Sequence, residues 1–243
     1  MSAEDRDPSG ITRVRAPNPS PMTLDGTNTY LAAGWVVDPG PADPAHLDAV
    51  QAAARDAIEG IALTHSHRDH SEGAEPLAER AGGVPVILPR GGEEVGPFRA
   101  LATPGHAPDH VCLLLGGVCF AGDIVMGRGS VFIQPGEGAL ASYLESLRTL
   151  LALDLDVLCP GHGPYIRDPQ TRLSEYLEHR MERERLLLEA LDAGARTEDE
   201  LIRHAWSDAP AALRPATELT LRAHLDKLAR EGRLPNDLDT GFL

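Results

Sequence analysis

Three histidines and an aspartate stand within six residues, directly after a run of apolar, strand-forming residues. The run is IEGIALT at 58–64, and the polar residues are His65, His67, Asp69 and His70. In an extended segment, side chains two residues apart point the same way, so His65 and His67 can reach one metal ion, and Asp69 and His70 in the following turn can face a second. Imidazole and carboxylate ligands without thiolate favour Zn²⁺, with Mn²⁺ or Fe²⁺ as alternatives. The chain must therefore fold so that a buried strand ends at a polar cleft.

Short apolar runs alternate with helical patterns over residues 10–168, which predicts an α/β fold. Turns rich in glycine and proline separate these runs. The predicted strands are 27–33, 35–40, 58–64, 84–88, 111–115, 117–122 and 156–161. Apolar residues recur every three or four positions over 44–57 and 139–153, which predicts two helices there.

The chain from residue 169 onward is rich in arginine and glutamate and has a helical period. One helix is predicted over 169–191; a second begins at Thr197, with Glu200 three residues later as in a capping box; a third ends before Gly232. We therefore predict a disordered lead over 1–9, an α/β domain over 10–168 and a small winged-helix-like α domain over 169–243. Four histidines on the predicted helices are expected at the surface: His46, His179, His204 and His224.

The acidic charge of the chain limits its partners. There are 37 Asp and Glu residues against 22 Lys and Arg, which gives a formal net charge of −15, and only one of the bases is a lysine, Lys227. Such a surface repels phosphate backbones at long range, so binding of duplex DNA is not expected. The net charge does not exclude a local basic groove that binds a smaller or single-stranded ligand.

Cysteine usage and hydropathy predict a cytoplasmic protein without a membrane span. Cys112, Cys119 and Cys159 all fall in apolar runs, where we expect reduced core residues. No run of about 20 apolar residues occurs. The opening MSAEDRDPSG is acidic and lacks the apolar segment of a secretory signal.

Three further residues complete a known ligand pattern. His106 in TPGHAPDH, Asp123 in FAGD and His162 in CPGHGP follow the histidine cluster in order. With them, the chain resembles the metallo-β-lactamase superfamily over about residues 10–168, since the hallmark of that superfamily is His-x-His-x-Asp-His after a strand. The resemblance implies an αββα sandwich, in which two packed sheets carry helices outside and metals in a cleft at one edge.

The resemblance also implies two zinc ions per chain and a role for each ligand. The first ion would be held by His65, His67 and His106. The second would be held by Asp69, His70 and His162, with Asp123 bridging both. A hydroxide shared by the two ions would be the nucleophile, and Asp69 would orient it and act as the catalytic base.

Four residues are expected to support these ligands or to bind substrate. Asp38 in VVDPG matches the first aspartate of the superfamily and is expected to fix a ligand histidine, with a turn or capping role as the alternative. His110 is expected to support the site from behind the ligands. Asn28 and Thr29 are expected to reach the cleft and to hydrogen-bond the substrate, with strand pairing and turn formation as the alternative.

The chain is similar, more narrowly, to the β-lactamase-like protein 2 family over about residues 16–234. GTNTYL, PGHGP, the pattern EHRxxRE at 178–184 and a closing winged-helix module carry this resemblance. It implies a zinc hydrolase, because members of the family are described as endoribonucleases on single-stranded RNA and fungal relatives as thioesterases that release polyketides. A β-lactamase is not expected, since the binuclear β-lactamases have cysteine or serine at the position of Asp123. Glyoxalase II has the same ligands, but its basic thiol-binding set is not found here.

These observations predict a metal-dependent hydrolase. Single-stranded RNA is the favoured substrate by family analogy, and a thioester or another small ester is the second. A non-hydrolytic alternative is a mononuclear iron enzyme similar to the persulfide dioxygenases, which would use His65, His106 and Asp123. The terminal module is expected to cover the mouth of the active site or to contact another subunit, and the oligomeric state stays open.

Overall fold

Two five-stranded sheets pack face to face. The computed structural model describes residues 6–54, 57–136 and 138–238. The first sheet has the order β1-β2-β3-β4-β5, with β1 at Ile11–Arg15, β2 at Asn28–Ala32, β3 at Trp35–Val37, β4 at Gly60–Ala62 and β5 at Val86–Ile87. The second has the order β10-β9-β8-β7-β6, with β6 at Glu94–Val95, β7 at Phe98–Ala102, β8 at Val111–Leu115, β9 at Val118–Gly122 and β10 at Val157–Pro160.

Helices cover the outer face of each sheet. The helices are α1 at Pro44–Ala53, α2 at Arg68–Ser71, α3 at Ala74–Arg80, α4 at Ala139–Leu151, α5 at Pro169–Asp192, α6 at Glu198–Ala205 and α7 at Arg214–Arg230, with a 3-10 turn at Ala211–Leu213. Within the described part of the chain, no helix has the length and apolar character needed to cross a membrane.

The strands are apolar on both faces because both faces are buried. In β8, Val111 and Leu113 enter the core between the sheets, whereas Cys112 and Leu114 enter the core under α4 and α5. The first sheet is covered in the same way, since Val36 of β3 packs with residues of α1 and α3. These layers confirm the predicted αββα sandwich.

The long helix α5 joins the sandwich to the terminal module. Leu173 and Tyr176 pack into the core of the sandwich, and Leu187 and Leu191 pack with α6 and α7 in a core of their own. Thr197 caps α6 with the predicted capping box. The predicted boundary at 169 therefore coincides with the start of a helix that belongs to both cores.

Several elements were not predicted. β1, β7 and α3 are short and carry charged residues or alanines among their apolar ones, so neither period stands out. Residues 1–5 of the predicted disordered lead, and 239–243 of the predicted terminal module, lie outside the described residues. Asp7 accepts a hydrogen bond of 2.8 Å from Tyr165, and the carbonyl of Arg6 accepts one from Arg167, so the lead makes contacts from residue 6 on.

The fully buried thiol of Cys119 tests the packing under α4. We expect Cys119→Ala to lower the free energy of unfolding by about 1–3 kcal/mol, because a buried group is lost from a packed core. Denaturant unfolding measures this change. Ser207→Ala, at an exposed position, is the control and should change it by less than about 0.5 kcal/mol. Equal stability of both variants would contradict the packing of this thiol.

Candidate metal centre

All the predicted ligands follow the carboxyl ends of strands at one edge of the sandwich. They come from both sheets: His65, His67, Asp69 and His70 after β4, His106 after β7, Asp123 after β9 and His162 after β10. Parallel pairing of β3 with β4, and of β9 with β10, brings their carboxyl ends to the same edge. The packing of the two sheets therefore positions the whole group.

Three imidazoles form the first ligand group. His67 Nδ1 lies 3.1 Å from His65 Nε2 and 3.0 Å from His106 Nε2. Ligand atoms of a tetrahedral zinc ion, each about 2.0–2.1 Å from the metal, lie about 3.3 Å apart. The three nitrogens therefore converge at close to the spacing of ligands around one cation.

Asp69, His70 and His162 form the second group, and the carboxylate of Asp123 lies between the two. Asp69 Oδ2 is 3.3 Å from His162 Nε2 and 3.7 Å from His70 Nε2. Asp123 Oδ1 is 3.4 Å from His70 Nε2, and its Oδ2 is 3.4 Å from His162 Nε2 and 3.6 Å from His106 Nε2. Asp123 therefore faces nitrogens of both groups.

The electrostatics of the second group favour positive charge. Burial alone would lower the pKa of His70 and His162, but Asp123 raises the pKa of His70 well above its ordinary value and that of His162 to about 9. In return, His162 and His70 hold the pKa of Asp123 well below its usual range despite its burial. A site that stabilises protons on two imidazoles is suited to a metal cation in their place.

The first group has the opposite character. Burial lowers the pKa of His65 well below its ordinary value, and the neighbouring His70 and His110 add to the effect. Burial also lowers the pKa of His106. These imidazoles are neutral at pH 7, which is the form that binds a metal.

Two buried atoms of the site have no hydrogen-bond partner among the described residues: His70 Nε2 and Asp123 Oδ1. Buried polar atoms without partners are rare, because each costs free energy of desolvation. Both atoms face the space that a second cation would fill. The donor set thus fits two metal ions.

Asp38 holds His70 in place. Its Oδ2 lies 2.9 Å from His70 Nδ1, and it accepts hydrogen bonds from the backbone N–H and the hydroxyl of Thr64, at 2.8 and 2.7 Å. Asp38 is also within ligand distance of His65 and His70, but both of its oxygens already accept hydrogen bonds. We therefore assign it to orienting His70, as its position in the sequence predicts.

His110 and Gly161 support Asp123. The backbone N–H of Asp123 donates to His110 Nε2 at 3.1 Å, and His110 Nδ1 lies 2.9 Å from Thr103 Oγ1. A Cβ on Gly161 would collide with Asp123 Oδ1 and with the ring of His70. This close approach explains the first glycine of PGHGP, Gly161. His110 lies behind the ligands, as expected.

Asn28 and Thr29 bond to the backbone of loops at the site, and their contact with substrate stays a prediction. Both are fully buried. Asn28 Nδ2 donates to the carbonyls of Pro160 and Gly163 at 2.9 and 2.8 Å, which holds the loop that carries His162. Thr29 Oγ1 donates to the carbonyl of Asp38 at 2.8 Å. Strand-end residues of the first sheet thus position ligand loops.

Tyr30 and Thr64 were not predicted at all. The hydroxyl of Tyr30 donates to the carbonyl of Pro160 at 2.7 Å, next to the loop of His162. Both residues adjoin motifs that were noticed, since Tyr30 belongs to GTNTYL and Thr64 precedes His65. Their position beside those motifs could have indicated that they belong to the site.

The helix histidines differ in their burial. His204 is exposed, as predicted. The prediction is wrong for His46 and His224, which are buried because they lie on the inward faces of α1 and α7. His46 Nε2 contacts Thr29 Oγ1 at 2.9 Å, and His179 is half-buried.

A cavity of about 500 Å³ lies between the ligands and the terminal module. His106 and Asp123 line it together with Pro21 and Met22, residues from the segment 126–132, residues of α5, and residues from Trp206 to Thr220. The terminal module therefore forms a wall of the cavity, in agreement with the first of its two expected roles.

Comparisons with known proteins agree with this architecture. Residues 82–162 match the family described as metallo-beta-lactamase superfamily, and residues 197–239 match the beta-lactamase associated winged helix domain. The chain is 30% identical to a Caenorhabditis elegans protein named beta-lactamase-like protein 2 homolog, over 93% of this chain and 86% of that protein.

Two solved structures extend the comparison. The metallo-beta-lactamase family protein TTHA1429 from Thermus thermophilus is 27% identical, with a TM-score of 0.73 over 92% of this chain and 94% of that one. TTHA1623, solved in a di-iron-bound form, is 28% identical, with a TM-score of 0.53 over 70% of this chain and 97% of that one. The ligand geometry, both domain matches and the near full-length relative lead to one conclusion: the chain belongs to the metallo-β-lactamase superfamily and, within it, to the family of β-lactamase-like protein 2.

Proposed function

We propose that the chain is a hydrolase with two zinc ions that cleaves a small carboxylic ester or thioester. The observation that carries the proposal is the position of Asp123, whose oxygens lie within 3.6 Å of nitrogens from both ligand groups. Two neighbouring cations repel each other, and an anion between them offsets this repulsion. The carboxylate of Asp123 lies between the two ligand groups and can supply that negative charge.

The chemistry divides between the metals and the chain. Bound metal ions would supply a nucleophile at neutral pH and stabilise the developing oxyanion. Asp69, whose side chain is 33% exposed, has a pKa lowered by its hydrogen bond to His162 despite partial burial, so it is ionised and can accept the proton of the attacking water. The water oxygen bonds to the carbonyl carbon, the bond to the leaving oxygen or sulfur breaks, and the leaving group takes up a proton.

The arginines support a small substrate over a polynucleotide. Arg68, beside the ligands, pairs with Glu72, and Arg222 pairs with Glu198 at 3.2 Å. Arg180 is buried rather than displayed on the surface. The cavity volume of about 500 Å³ lies within the usual range for small-molecule sites.

Single-stranded RNA is the second candidate. Arg172 and Arg180 line the cavity that His106 and Asp123 also line, so one or two phosphates of a short strand can be held near the metals. This observation is the reason to test RNA beside the esters.

The convergence of Asp69, His70 and His162 supports two metals over a single iron, because the mononuclear alternative would leave these three without a role. Because the relative TTHA1623 was solved in a di-iron-bound form, elemental analysis has to decide between zinc and iron. We also propose a cytoplasmic location, which three buried free thiols support.

Metal content tests the two-metal proposal. We expect about two zinc equivalents per chain by elemental analysis, and loss of ester turnover in Asp123→Ala with circular dichroism unchanged, because the carboxylate between the ligand groups is removed. Two iron equivalents would correct the metal, whereas one iron and no zinc would overturn the proposal.

Asp38→Asn tests the orientation of His70. The amide keeps the shape of the side chain but loses the charge beside His70 Nδ1, so we expect metal affinity about 10–100-fold lower in a chelator competition. Asp48→Asn, at an exposed carboxylate paired with Arg80, is the matched control and should leave the affinity unchanged. Equal affinities of the two variants would remove Asp38 from the metal centre.

Salt dependence separates the two substrate classes. Each phosphate neutralised on a single strand contributes about −0.7 to the slope of log affinity against log salt. The three arginines that line the cavity, Arg172, Arg180 and Arg183, therefore allow a slope no steeper than about −2. We expect turnover of an acyl-thioester to be nearly insensitive to salt between about 50 and 300 mM, and cleavage of a short RNA to be weak. Efficient RNA cleavage with a slope beyond about −5 would favour the nuclease and show a basic groove.

A further inference from the structure

One face of α5 lines the cavity beside the metal centre. Its residues recur every three or four positions, so they point the same way. They are Arg172, Glu175, Tyr176, His179, Arg180 and Arg183. A single helix face thus supplies three cations and one carboxylate to the wall of the cavity.

Arg180 is a buried cation without a carboxylate partner among the described residues. It is only 2% exposed, and its Nη2 donates to Ser130 Oγ at 3.1 Å and to the carbonyl of Val131. Its neighbours differ, since Arg172 pairs with Glu175 at 3.1 Å and Arg183 pairs with Asp208 at 2.7 Å. The ring of Tyr143, whose centroid lies 5.5 Å from the guanidinium carbon, and the two oxygen acceptors offset part of the cost of burying this charge. No carboxylate of the described residues neutralises it, so a negative charge from outside the chain would be favoured here.

The donors around Arg180 lack acceptors as well. Three buried nitrogens on this face have no hydrogen-bond partner among the described residues: Arg172 Nε, His179 Nδ1 and Arg180 Nε. Arg183 Nε donates to His179 Nε2 at 3.1 Å, which places the proton of the neutral ring on Nδ1. His179 is neutral at pH 7, because burial and the adjacent Arg180 and Arg183 lower its pKa to about 4. A surplus of donors calls for a ligand that only accepts hydrogen bonds.

We propose that Arg180 binds an anionic group, a carboxylate or a phosphate, carried by the substrate whose ester or thioester bond lies at the metal centre. The inference rests on the proposed function and names its substrate class. Apolar side chains line the same cavity, among them Met126, Phe132, Trp206 and Leu213. The part of the substrate that joins the ester to the anion is therefore apolar.

Matched esters test this assignment on the zinc enzyme. For the carboxylate, a p-nitrophenyl ester of a simple fatty acid is compared with one whose acyl chain ends in a carboxylate. For the phosphate, an acyl-pantetheine is compared with the acyl-phosphopantetheine. We expect kcat/KM to be about ten- to a hundredfold higher for the anionic member of at least one pair, as hydrogen bonds to a charged group would give.

Three variants show whether Arg180 is the cause. Arg180→Met should bring the ratio within the pair close to one, and Arg180→Lys should retain part of it because the charge remains. Arg148→Met removes an exposed arginine of α4 that pairs with Glu145, and should leave both activity and ratio unchanged. The pair that responds identifies the anion as carboxylate or phosphate.

Thermal unfolding with orthophosphate or acetate gives a readout without turnover. We expect these anions to raise the midpoint of the wild type more than that of Arg180→Met. A wild-type ratio of one in both pairs, or a ratio unchanged in Arg180→Met and Arg180→Lys, would overturn the inference and leave Arg180 as a clamp on the segment of Ser130 and Val131. Failure to hydrolyse even the neutral esters would instead count against the proposed function, and the midpoint shifts would still decide the anion site.

Discussion

The contact of the Asp123 carboxylate with imidazoles of both ligand groups is the interaction on which the site depends. Asp123 follows β9 of the second sheet, whereas His70 follows β4 of the first. Its burial is tolerable because His162 and His70 stabilise its charge. A shift of one sheet against the other would separate these groups, so the core between the sheets also maintains the metal centre.

Hydrogen bonds across that core explain why strand residues far apart in the chain matter to the site. Asn28 and Tyr30 of β2 hold the carbonyl of Pro160, which precedes the loop of His162. Thr64 and Asp38 fix His70 from the first sheet. The ligands are therefore held by buried hydrogen bonds from both sheets, which preorganises them before any cation binds.

Four of the ligands were predictable because they stand within six residues after an apolar run. The other three ligands and the two packed sheets were expected from the resemblance to the superfamily, since the strand pattern by itself indicates only an α/β fold. The hydrogen bonds of Asn28 and Thr29 were not predictable, since their partners lie up to 135 residues away and a strand-end polar residue can face either a cleft or a neighbouring loop. His46 and His224 look like surface residues because helices α1 and α7 carry polar residues on both faces. Likewise, the charged run around Arg180 is typical of a solvated helix until the fold buries one face of α5.

A buried arginine has a particular meaning in a chain with a net charge of −15. At physiological salt the interaction with any single charge is screened beyond about 8 Å, so Arg180 does not attract an anion from a distance. The acidic surface does not steer anions toward the cavity either. Inside the cavity the desolvated guanidinium of Arg180 acts at short range, where screening is weak. Such an arrangement disfavours long polyanions, which need many contacts at the surface, and admits a small molecule with one negative group. The buried charge of Arg180 costs the fold free energy, and the same charge thus favours small anionic ligands over long polyanions.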